Sequence, residues 1–133
     1  MTLHEARAVI SAAEKKATEI RQPMNIAVAD AGGYLVAHAR MDGARLGTVD
    51  ISMNKAFTAS IFDIETGALA KLCQPGAEFF GIHASNHGRV MILAGGIPLR
   101  RNGKVVGSIG VSGGSSAQDQ AVAEAGAISF VES

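Results

Sequence analysis

Two tight turns limit most what this chain can fold into. Asn102-Gly103 stands between the short apolar runs 97–101 and 104–111, and Gly32-Gly33 stands between 24–30 and 34–41. Both are turn pairs that accept left-handed backbone, and Asn-Gly is the strongest short-range hairpin signal. Strands joined this way pair antiparallel, without the helical crossovers that a parallel sheet needs. The 16 glycines exceed the five Phe and one Tyr, and there is no Trp. The expected core is therefore filled by small aliphatic side chains, with backbones in close approach.

The helices are expected around these hairpins. Leu3, Ala6, Val9, Ile10, Ala13, Ala17 and Ile20 recur near every 3.6 residues. Thr2 with Glu5 three places on makes a capping-box pattern, and Pro23 closes the segment. In 34–41, Leu35, Ala37, Ala39 and Met41 share the expected core face, opposite Tyr34, Val36, His38 and Arg40. Thr48 or Asp50 can cap a helix through Phe62, and Thr66 a shorter one over 67–73. The run 89–93 reads as a further strand, and Ser115 or Ser116 opens a last helix with Gly126 as its stop. The expected order is helix, two strands, two helices, three strands, helix. This is an α+β fold, an antiparallel sheet of about five strands flanked by helices, in one domain over 1–133.

Charge narrows the partners. Lys plus Arg and Asp plus Glu number 12 each, so no net field draws in nucleic acid or an acidic membrane surface. The longest apolar runs fall far short of the ~20 residues that span a bilayer. Met1-Thr2-Leu3-His4-Glu5 lacks the basic and apolar blocks of a secretory signal, and Cys73 is the one cysteine. A cytoplasmic chain without internal disulfides is expected.

The motifs Asp30-Ala31-Gly32-Gly33, Arg40-Met41-Asp42-Gly43-Ala44, Asn54-Lys55-Ala56-Phe57-Thr58-Ala59, Gly95-Gly96-Ile97-Pro98-Leu99 and Gly107-Ser108-Ile109-Gly110-Val111-Ser112-Gly113-Gly114, with Asp119 and Ala125-Gly126, follow one another from end to end. Taken together they resemble the GlcG/HbpS-like family. Ala94-Gly95-Gly96 departs from the three glycines that many of its members carry before Ile-Pro. The resemblance implies a profilin-like fold that assembles into homo-oligomers, from dimers to octamers. It also implies haem or a related tetrapyrrole as a ligand, which family members bind or degrade, and in other members a link to small-acid catabolism. No family ligand residue carries over by position, and a family predicts fold better than chemistry.

Candidate residues follow from chemistry. His83 and His87 sit four apart among Gly81, Asn86 and Gly88, which speak against a helix. Either imidazole can ligate a haem iron or carry a proton, and the plainer reading is two loop histidines in solvent or at a subunit contact. Arg40, Asp42 and Lys55 come from a strand end, a loop and a helix. Arg40 and Lys55 can grip a propionate or a small organic acid, and ion pairs tying loop to helix are the structural alternative. Gly95, Gly96, Ser112, Gly113 and Gly114 can offer N–H groups to a carboxylate, with Asp119 in the first turn of the last helix. They lack the spacing of a nucleotide-phosphate loop, and simple turns and caps explain them equally well. No third ligand joins the histidines for a metal site. The two functions that compete are a haem-binding protein and a cofactor-independent enzyme or binding protein for a small carboxylic acid.

Overall fold

The computed structural model describes residues 1–132. Helix α1 (Leu3–Glu19) opens as its sequence predicts. The Glu5 amide donates to Thr2 Oγ1 at 3.1 Å, and the Thr2 amide donates to Glu5 Oε1 at 2.9 Å. Strands β1 (Asn25–Asp30) and β2 (Leu35–Arg40) form the first hairpin. Asp30 Oδ1 ties that turn by accepting from the amides of Gly32 and Tyr34. Helices α2 (Thr48–Phe62) and α3 (Thr66–Leu72) follow, then β3 (Gly96–Arg101), β4 (Lys104–Ser112) and α4 (Ser116–Glu132). The sheet order is β2-β1-β4-β3, and every neighbouring pair is antiparallel.

The sheet is covered on both faces. Ile26, Val28, Leu99, Ile109 and Val111 pack with the buried stripe of α1 and with Val122 and Ala123 of α4. Each such buried aliphatic contributes about 1.5–3 kcal/mol. On the other face α2 lies on Ala27, Ala29 and the bare backbone of Gly110. A Cβ on Gly110 would stand 2.1 Å from the Ser52 carbonyl oxygen, so the approach of α2 to the sheet requires glycine there.

Four strands form, where five are expected from the sequence. The run 89–93 pairs with no strand. Val90 is buried against Leu69 and Cys73, and the Met91 amide donates to Thr58 Oγ1 of α2 at 2.9 Å. A helix side chain thus satisfies the backbone that a sheet would otherwise have to satisfy. The face expected for β2 holds for Ala37, Ala39 and Met41, which pack on the α1 side. It reverses at Leu35 and Val36, because a bulge opposite Val28 and Ala29 shifts the register there. Leu35 is 50% exposed and Val36 joins the core. Gly126 does not stop α4. It lies inside the helix, where a Cβ would meet Ile109 Cδ1 at 2.5 Å, so glycine serves close packing.

Candidate functional site

The residues predicted to bind a ligand divide into three places. The first is internal. Lys55 is 1% exposed, and its Nζ donates to the Val111 carbonyl at 2.8 Å and to Asp119 Oδ2 at 3.0 Å. Burial pushes the Lys55 ammonium below the usual lysine range, and the Asp119 carboxylate partly offsets this. Asp119 Oδ1 in turn accepts from the Gly114 amide at 2.8 Å. Gly95, at φ +120°, closes over the pair, since a Cβ there would lie 3.0 Å from Lys55 Nζ. Gly96 donates its amide to Thr66 Oγ1 at 2.8 Å. Lys55, the Gly95-Gly96 and Gly113-Gly114 turns and Asp119 therefore converge, without Arg40. They converge on one another, filling the space with an ion pair that joins α2, β4 and α4. The partner of Lys55 is Asp119.

The second place is the far end of the β2 edge. Arg40 and Asp42 are both exposed there, whereas Lys55 is buried. In register, Arg40 stands opposite Asn25, and Asn25 opposite Ser112, which is itself buried. Asn25 is fully buried, and its Nδ2 donates to Thr48 Oγ1 at 2.8 Å. Among the described residues its Oδ1 has no partner. His38, on the same face, lies 3.3 Å from Ser52 Oγ through Nε2. Burial first, and then the Arg40 charge, lower the His38 pKa below 6.5.

The third place is the connection from α3 to β3. Two 3-10 turns, Ile82–Ala84 and Asn86–Gly88, carry His83 and His87 on the surface. The Phe80 ring stands edge-on to the His83 imidazole with centroids 5.8 Å apart. Phe79 and Phe80 are 44% and 58% exposed. Asn86, His87 and Gly88 follow one another at φ 52°, 58° and 74°. A β-carbon in this left-handed region costs roughly 1–2 kcal/mol, so His87 is held in a strained conformation. The turn delivers Arg89, whose guanidinium carbon lies 3.7 Å from the centre of the Phe57 ring. Arg89 and Asn54 escape notice in the sequence, because 89–93 reads as a strand and Asn54 reads as one polar residue on a helix. The turn formers Ser85, Asn86 and Gly88 ahead of Arg89 are the available signal.

A family model described as "Haem degrading protein HbpS-like" matches residues 1–128. An uncharacterized 15.0 kDa protein of the dhaT-dhaS intergenic region of Citrobacter freundii is 41% identical over 132 residues, which cover 99% of this chain and 93% of that one. The crystal structure of Klebsiella pneumoniae ORFY superposes with a TM-score of 0.96 at 38% identity, covering 98% of this chain and 90% of that one. A PduOC:haem complex superposes with a TM-score of 0.93 at 30% identity, covering 97% and 94%. With its motifs in order and its fold shared across nearly the whole length, the chain belongs to the HbpS-like family.

Proposed function

We propose that this protein binds haem or a related tetrapyrrole on the exposed loop that carries Phe79, Phe80, His83 and His87. One observation carries the reading: an exposed imidazole braced by an exposed phenyl ring, beside a second imidazole held in strained backbone. A planar apolar macrocycle would find an apolar shelf there, and its iron a nitrogen ligand in an imidazole. The solved haem complex of a relative with the same fold supports this ligand class.

The described residues fit such a group at the surface. A tetrapyrrole on this shelf would be enclosed when a second copy covers it, which suits a homo-oligomer built on a profilin-like scaffold. When bound, haem supplies an iron that takes axial ligands and exchanges electrons. The protein would supply the imidazole of His83 or His87 and the phenyl rings that shield the macrocycle from water. The buried Lys55–Asp119 pair and its glycine turns hold α2, β4 and α4 in place beneath. We place this activity in the cytoplasm.

Haemin titration followed in the Soret region tests the reading. A saturable Soret band at one haem per protomer or per protomer pair is expected. A featureless titration at stoichiometric haemin overturns it.

A further inference from the structure

A second site lies between the first hairpin and α2, and only Arg89, two residues after His87, ties it to the loop of the haem shelf. Ala29, Gly33, Leu35, Asp50, Met53, Asn54 and Arg89 line a cavity of about 200 Å³. It has room for about six or seven water-sized groups. Arg89 and Asp50 share this space without pairing, and among the described residues neither forms an ion pair with any other side chain. The guanidinium is fixed by its 3.7 Å stacking on Phe57. The carboxylate is fixed by Asn54, which is 8% exposed and whose Nδ2 donates to Asp50 Oδ2 at 2.9 Å. Gly33, at φ +83°, lets the hairpin close on Phe57, since a Cβ there would stand 2.7 Å from the ring.

Exposed Arg89 and Asp50, each held by one neighbour, line one small cavity without pairing, and this calls for a molecule that bridges them. We propose that this cavity binds a short carboxylic acid bearing a hydroxyl or ammonium donor a few atoms from its carboxylate. The carboxylate takes the fork of Arg89. The donor gives its hydrogen to Asp50, whose other oxygen already accepts from Asn54. Met53, Leu35 and Ala29 take the carbon chain. The residues differ from Arg40 and Lys55, which the sequence offered for an acid, and the signal is the unpaired charge at Arg89.

The test uses the full chain and three-carbon probes: propionate, lactate and alanine. Binding is followed by shifts of the Asn54 side-chain amide and the Arg89 Nε–H in proton–nitrogen NMR spectra. Lactate and alanine are expected to saturate these shifts about tenfold more tightly than propionate, the effect of one added hydrogen bond to a charged group. Arg89→Gln is expected to abolish binding of all three acids, and Asp50→Asn, which lies on α2, to leave the haemin titration unchanged. Asp50→Asn is expected to bring lactate and alanine to within twofold of propionate while propionate still binds. The proposal is overturned if no acid shifts these resonances at millimolar concentration, or if Asp50→Asn leaves the preference intact. It is also overturned if Asp50→Asn weakens haemin as much as it weakens lactate and alanine.

Discussion

The Lys55 ammonium reaches the Asp119 carboxylate at 3.0 Å across 64 residues of sequence, and both groups are buried. Removing one partner strands the other charge away from water. Lys55→Met is expected to cost about 3–5 kcal/mol in urea unfolding, and Asp119→Asn a comparable amount. The double variant, which buries no charge and keeps an acceptor for the Gly114 amide, is expected to be markedly more stable than the sum of the single losses. Additive losses in that cycle would show that the two side chains act independently.

His38 titrates below 6.5 because its ring is half-buried and because Arg40 repels its proton. The unfolded chain therefore takes up a proton that the fold refuses, and stability falls as pH drops from 6.5 toward the folded value. Arg40→Gln is expected to raise the His38 pKa while leaving it under 6.5, since burial remains. NMR titration of the imidazole checks this, and an unchanged midpoint contradicts it.

Glu5 is held at about 2, first by the Thr2 backbone amide and then by Arg101. The stability it adds is complete above 4.5 and is lost as pH falls from 4.5 toward 2. Glu5→Gln is expected to flatten the acid limb of Tm against pH in that window. An acid limb identical to that of the wild type would place the effect elsewhere.

His87 carries a β-carbon at φ 58°, where glycine is at ease. His87→Gly is expected to raise stability by about 0.5–1 kcal/mol in chemical denaturation. A loss of stability would mean that the imidazole contributes more than its backbone costs.

Local signals made much of the fold legible. Thr2 with Glu5, and Asn102 with Gly103, announce a helix start and a hairpin because the groups that satisfy each other lie within a few residues. Gly110 announces a close neighbour, and α2 is that neighbour. The misread elements depend on partners that are distant in sequence. The run 89–93 has strand-like composition, but Thr58 claims its backbone from 33 residues away. Gly126 reads as a stop until Ile109 and Val9 are seen against it. The candidate site was legible in the same measure. His83 and His87 were named on chemistry alone, whereas Lys55 and Asp119 were named without showing that each is the other's partner. Arg89 acquires meaning only when Phe57 and Asp50 are brought beside it.

The haem reading requires an imidazole from this loop to reach the iron. Paramagnetic resonance of the ferric haem complex, compared among wild type, His83→Ala, His87→Ala and the double variant, tests that most directly. A nitrogen-ligated spectrum that changes in one single variant and is lost in the double variant is the predicted result. The same spectrum in all four proteins would contradict it.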